Sequence, residues 1–266
     1  MNTWLWGPPT WKVLHTLSYA PAVKTVANAD TISHFLCTLT HALPCVYCRG
    51  SYNGFTRELQ REFGGRKVEQ VIVDGEFAKW MYLLHDKVNA KLDKQHAAEV
   101  GLENHPDLER VCRRRQISFK CLTKRFHLRP IQFCAEDVFE ILQIFAMNMD
   151  RTKAAPLLPE EADVNRKRRR FNQLQFFMFL RLVLAMILGA NDPLIHALAH
   201  MNEDVLEEAL QPTSLPDATM RHVTALKLWY AQPAGFREDD LDTLLRQDTA
   251  RLAKAFASEC VHGSCA

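Results

Sequence analysis

Glycine is scarce in this chain, with ten in 266 residues. Turn-rich β folds depend on glycine at positive-φ positions, so the shortage favours helices. No Gly-x-Gly-x-x-Gly run and no Walker-type loop occurs. A bound nucleotide would therefore not sit in a Rossmann or P-loop cradle. Neither sign of charge dominates: the formal net charge is +2, which gives no global nucleic-acid signature. No clean apolar run reaches the ~20 residues that a membrane span requires. The most apolar stretch, residues 171–190, is interrupted by Asn172, Gln173, Gln175 and Arg181, and reads as a central buried helix. The opening MNTWLWGPPTW lacks a basic region followed by an apolar run and a small-residue cleavage site, so no cleaved leader is expected. Eight cysteines are too few for a disulfide-built miniature protein, yet more than most cytosolic enzymes carry.

Two of those cysteines lie in Pro44-Cys45-Val46-Tyr47-Cys48-Arg49, with the proline placed to open a helix. Helix N-termini favour thiolates through the dipole and the free N–H groups, and Arg49 adds positive charge. That suits a dithiol that works by exchange. The motif alone also fits half a zinc site or a thioredoxin-type centre. No second ligand pair at zinc spacing and no strand–helix–strand pattern accompanies it.

Two flanking stretches bear on the choice. Trp11, Leu14, His15, Ser18 and Tyr19 recur at three- and four-residue steps and share a helical face. Such a face is either an aromatic core with a satisfied histidine or a wall for a flat ligand with polar edges. Further on, Phe77, Trp80, Leu84, Val88 and Leu92 mark one side of a helix, and His85, Asn89 and Leu92 form a stripe beside them. Lys91 and Lys94 lie within a turn. This reads either as a solvated helix with one buried histidine or as a second ligand wall with cations for phosphates. Between the two stretches, Asn28–Thr31 reads as a turn and cap. Ile32, Phe35, Leu36, Leu39 and Leu43 form an apolar stripe, and Cys37 reads as a buried thiol. The prolines after Gly7 suit a first helical turn that Thr10 helps to cap, Gly64-Gly65 end the helix that starts near Cys45, and Asp74 is placed to cap the next.

Taken together, Trp-Gly-x-x-x-Trp-x-x-Leu-His-Thr (Trp6 to Thr16) with Tyr19, Pro-Cys-x-x-Cys (Pro44 to Cys48), and Trp-x-x-x-x-His-x-x-Val-Asn-x-x-Leu-x-Lys (Trp80 to Lys94) resemble the Erv/ALR family of FAD-dependent sulfhydryl oxidases. The resemblance covers roughly residues 4–95. It implies an all-α fold, with an N-terminal four-helix bundle plus a short fifth helix, FAD inside the bundle, and commonly a homodimer. It implies that Gly7, Trp11, His15 and Tyr19 contact the flavin nucleotide from one side. His85, Val88, Asn89, Leu92, Lys94 and, more weakly, Lys91 close the other. Cys45 and Cys48 would be the active disulfide, with Cys48 facing the isoalloxazine and Cys45 attacked by incoming thiolates. The implied activity is a flavin-linked thiol oxidase that forms disulfides in protein thiol substrates and passes electrons to O₂, giving hydrogen peroxide. There are departures. His85 is followed by Asp86 where many members have asparagine, and Pro8-Pro9 stand where many cellular members carry an arginine, leaving fewer cations for the pyrophosphate. No cysteine lies between Cys48 and Cys112 to match the disulfide that ties down the fifth helix in many members.

The expected organisation is a sulfhydryl oxidase domain over residues 1–105, a second helical domain over 106–258, and a tail over 259–266. Arg110 to Arg129 holds eight Arg or Lys and no acidic residue, and Arg166–Arg170 is a second basic run. Without aromatics at stacking spacing these runs read as solvated surface, with nucleic-acid contact as an alternative. One disulfide among Cys112, Cys121 and Cys134 is plausible. Residues 151–165 read as a linker, and 193–210, 216–231 and 238–257 as amphipathic helices. The tail pair Cys260/Cys265 fits the shuttle disulfide that family members often carry on a flexible arm. The extra helical domain and the Trp-Gly-Pro-Pro start resemble members from large DNA viruses. That would place the protein in host cytoplasm or virions, against the mitochondrial intermembrane space for a cellular member. The alternative function is a non-catalytic scaffold or binding protein that reuses the bundle.

Overall fold

A computed structural model describes residues 3–44, 46–99, 118–128, 133–147, 159–200 and 218–257. Every regular element among them is helical: α1 (Thr3–Tyr19), a 3-10 turn (Pro21–Lys24), α2 (Val26–Ala42), α3 (Val46–Glu62), α4 (Val68–Val73), α5 (Phe77–Glu99), α6 (Phe119–Leu128), α7 (Ala135–Met147), α8 (Pro159–Leu188), α9 (Pro193–Ala199), α10 (Ala218–Ala231) and α11 (Glu238–Ala257). The all-α expectation holds. No described helix is long and apolar enough to cross a membrane.

Several local expectations are corrected. Helix α1 begins at Thr3, so Pro8 and Pro9 lie inside it rather than in its first turn. Each proline removes an N–H from the ladder. Thr10 does not cap; its hydroxyl donates back to the Trp6 carbonyl at 2.6 Å. Helix α2 is capped by Thr25, whose side chain accepts from the Asn28 N–H, so Asn28–Thr31 are helical rather than a turn. Asp74 closes α4 instead of opening α5, and its carboxylate pairs with Arg66 at 2.5 Å. Residues 159–165, read as linker, are the start of the 30-residue α8. Cys37 is exposed, not buried. It follows the buried Leu36, one step round the helix from the buried face.

Other expectations hold. Gly64 and Gly65 take positive φ, and the Gly65 N–H bonds the Gln60 carbonyl at 2.8 Å, which ends α3. Ile32, Phe35, Leu36, Leu39 and Leu43 are all buried. So are Leu174, Phe176, Phe177, Leu180, Val183 and Leu184 on α8, as expected of a central helix.

The core is continuous across residue 105. Leu17, Ile32, Phe35, Leu59 and Leu84 from the first five helices join Ile141, Phe145, Phe176, Phe177 and Val223 from the later ones. Helix α2 packs on α3 and α4 on one side and on α8 on the other, while α1 lies between α5 and α7. Ion pairs tie these contacts. Lys87 of α5 reaches Glu58 and Glu62 of α3 at 3.0 and 2.8 Å. Lys12 of α1 reaches Asp137 of α7 at 2.7 Å. Asp137 also accepts from the Cys134 N–H at 2.9 Å. Burial opposes the Asp137 charge, yet the bonds from Lys12 and Cys134 outweigh it and hold the carboxyl below its ordinary range.

Candidate active site

Helices α1 and α5 pack together and bring three sequence-predicted residues into one cluster. Trp11 stacks on His85 with ring centres 4.0 Å apart and planes 11° from parallel. His15 Nε2 lies 2.8 Å from His85 Nδ1. His15 is only 5% exposed, and its other ring nitrogen, Nδ1, has no hydrogen-bond partner among the described residues. Native interiors rarely leave a buried polar atom unmet. If His15 Nε2 donates to His85, Nδ1 is an acceptor awaiting a donor; if Nε2 accepts, Nδ1–H is a donor awaiting an acceptor. Trp6, one turn before Thr10, likewise buries an indole N–H with no described partner. Beside it Gly7 is buried, yet a Cβ added there would meet no described atom within 4 Å.

Burial holds the His15 imidazole well below its ordinary range, at about 4 against 6.5. Its folded pKa is below its unfolded one, so the unfolded chain takes up this proton first as pH falls. Stability tied to neutral His15 is intact above about pH 6.5 and is lost between there and about pH 4. The full window corresponds to about 3 kcal/mol at ~1.4 kcal/mol per unit. Urea unfolding of wild type and His15→Gln between pH 7 and pH 4.5 checks this. The wild-type curve is expected to fall more steeply; equal slopes would assign the acid sensitivity elsewhere.

Tyr19 does not join the cluster. Its ring stacks on Phe126 of α6 at 4.1 Å, and its hydroxyl lies 2.9 Å from the Thr123 hydroxyl. Phe119 of the same helix packs near Tyr82 of α5, with ring centres 5.5 Å apart. Nothing in the sequence signalled this cover, because α6 lies far along the chain from both tyrosines. Val88, Asn89 and Leu92 are half-buried on α5, and Lys94 is exposed. Lys91 is half-buried, and its ammonium donates to the Ser51 hydroxyl on α3.

Cys48 sits in the first turn of α3, half-buried and packed against the core. Arg49 fixes that start by donating to the Leu43 carbonyl at 2.6 Å. One turn later, the buried Tyr52 hydroxyl donates to the Leu36 carbonyl at 3.0 Å, joining α3 to α2. Helix α3 packs on α5, so Cys48 and the histidine pair stand on adjoining helices. Cys45, Cys112, Cys260 and Cys265 lie outside the described residues. Cys121 and Cys134 are exposed free thiols.

Comparison with known proteins bears on this arrangement. Residues 8–109 match the Erv1 / Alr family. That span includes α1 from Pro8 onward and α5, which build the cluster, and α3 with Cys48. The chain is also 29% identical over 89 residues to the mitochondrial FAD-linked sulfhydryl oxidase ERV1 of Saccharomyces cerevisiae. The aligned stretch is 33% of this chain and 43% of that relative, so the chain spans under half the length of the curated relative it matches. No solved structure matches. The described part of the matched segment is helical, as the family resemblance implied. The donor set fits a flavin nucleotide in kind: the His15 imidazole and the Trp6 indole N–H lack partners among the described residues, the Trp11–His85 stack lies beside His15, and Gly7 leaves room for close approach.

Proposed function

We propose that residues 1–105 form an FAD-dependent thiol oxidase unit that makes disulfide bonds in substrate proteins, with residues 106–258 as a helical buttress. The observation that carries this reading is the buried His15 ring, with one nitrogen unpartnered among the described residues and the other on His85, which stacks on Trp11 beside the helix that bears Cys48. Trp11, His15 and His85, with Gly7, Val88, Asn89, Leu92, Lys91 and Lys94, would hold the nucleotide. Tyr19 belongs to its outer edge, through α6. A homodimer is part of the same proposal and rests on the family resemblance.

The chemistry of the chain's own residues follows exchange rules. A substrate thiolate attacks Cys45 of the Cys45–Cys48 disulfide and displaces Cys48. A second substrate thiol then attacks the mixed disulfide, releases Cys45, and leaves as the oxidised product. Two thiols have lost two electrons and two protons, and Cys45/Cys48 is the reduced pair. When bound, FAD would supply the two-electron acceptor for the Cys45/Cys48 pair, with O₂ as the final acceptor and hydrogen peroxide as the product. Neutral His15 offers one ring nitrogen to the nucleotide while its other holds His85. The start of α3, fixed by Arg49, sets the direction in which Cys48 faces.

The purified chain is expected to show a flavin absorbance spectrum. With dithiothreitol it is expected to consume O₂ and release peroxide in equal amounts. A colourless chain that takes up FAD neither as purified nor on titration would sink this reading in favour of a non-catalytic scaffold.

A further inference from the structure

The basic stretch that starts at Arg110 reads from the sequence as solvated surface, with nucleic-acid contact as the alternative. Part of it is helix α6, and the structure puts α6 against both walls of the candidate site. Thr123 and Phe126 meet Tyr19 of α1, and Phe119 meets Tyr82 of α5. Leu122 and Phe126 are buried, which fixes the rotation of the helix. With that rotation, Lys120 and Lys124 fall on the face that carries Phe119 and Thr123, and together with His127 they line a cavity. Residues at i and i+4 share a helical face, so the two ammonium groups stand one turn apart. Neither lysine has an acidic partner among the described residues, whereas Lys12, Lys87 and Lys227 are all paired. Among the described residues, no acidic side chain lines the cavity.

We propose that Lys120 and Lys124 of α6 form the diphosphate-binding edge of the FAD site, with Thr123 fixing their helix onto Tyr19. This deepens the oxidase reading and rests on it. The physical reason is charge supply. Pro8-Pro9 bring no cation to the start of α1, and the Lys91 ammonium is already engaged with Ser51, so the residues of α1 and α5 supply little charge for a diphosphate. A diphosphate needs charge-assisted donors, and two unpaired ammonium groups beside a cavity meet that need. The site would thus be completed by a helix beyond the stretch matched to the family. A nucleic-acid backbone shares the phosphate chemistry. Two of the residues lining the cavity, Thr123 and Phe119, touch Tyr19 of α1 and Tyr82 of α5, and this contact with the helices of the candidate site favours the cofactor.

The test compares wild type with Lys120→Ala/Lys124→Ala in the full chain after flavin removal. FAD and riboflavin are titrated separately, read by quenching of flavin fluorescence, at low and high salt. The double variant is expected to bind FAD about tenfold more weakly, the scale of one or two exposed charge-assisted contacts. Its FAD affinity is expected to lose most of its salt dependence, with riboflavin affinity unchanged because riboflavin carries no phosphate. Unchanged FAD affinity would overturn the proposal while leaving the oxidase reading intact. Equal loss for FAD and riboflavin would also overturn it, since the helix would then act by shape alone. Retained FAD affinity with lost binding of a single-stranded oligonucleotide would assign the lysines to nucleic acid. Absence of FAD binding by the wild type would overturn the oxidase reading, and this inference with it.

Discussion

Cys48→Ser is expected to abolish O₂ uptake with dithiothreitol, by about a hundredfold or more, while leaving flavin binding and the helical fold in place. Loss of one sulfur of the disulfide that substrate must reduce is not rescued by neighbours, because the two cysteines act as one unit. Serine is nearly isosteric with cysteine, and Cys48 is only half-buried, so the packing against α2 and α5 survives. The hydroxyl cannot close a disulfide with Cys45. A useful contrast is the Cys260→Ser/Cys265→Ser double variant. If the tail pair is a shuttle, that variant keeps turnover of the small dithiol and loses turnover of a reduced protein substrate. Measuring both substrates on both variants separates the centre from the relay. Oxygen uptake that survives Cys48→Ser would remove this thiol from the reaction. Equal activity of the tail variant on both substrates would rule out the shuttle.

How far the sequence carried the argument differs between parts of the site. Trp11, His15 and His85 were legible because a helix of fixed pitch turns their spacing into a shared face, and two such faces on neighbouring helices then meet. Their detailed pairing was not legible. Nothing in the spacing says that Trp11 stacks on His85 rather than on His15, or that His15 Nδ1 is left over. Tyr19 belonged to the same stripe, yet its partners come from α6, and a contact between elements so far apart along the chain leaves no local pattern. Helix starts were the weakest reading. Asp74 and Asn28 have good capping chemistry, but Arg66 claimed the first and Thr25 lay upstream of the second. Capping preference is worth only about 1 kcal/mol, so a stronger partner nearby overrides it. The same holds for α8, where an apolar stretch was legible but its continuation back through a basic run to Pro159 was not.

The shared core gives the prediction with the largest effect on stability. Phe176 of α8 is 1% exposed and stacks on Phe145 of α7 at 4.5 Å and on Phe35 of α2 at 5.7 Å. Phe176→Ala removes a whole ring from the junction of three helices that cannot collapse independently. It is expected to cost about 3–5 kcal/mol, the range for truncating a fully buried aromatic. Phe171 is the control. It lies on the same helix but is 58% exposed, so Phe171→Ala should stay within about 0.5 kcal/mol. Urea titration measures both. The tryptophans make the experiment sharper, because Trp6, Trp11 and Trp80 report on the first five helices and Trp229 reports on α10. With α2 buried against α8, the first five helices and the later ones should unfold together. In the Trp229→Phe variant, whose fluorescence reports the first five helices alone, fluorescence and backbone circular dichroism should then give coincident transitions. Two separated transitions, with Phe176→Ala shifting only the one that α10 reports, would mean that the oxidase segment holds its core without α8. Residues 1–105 would then behave as a domain in the thermodynamic sense. A single transition that moves as a whole would mean that the cofactor site depends on a helix beyond the stretch matched to the family.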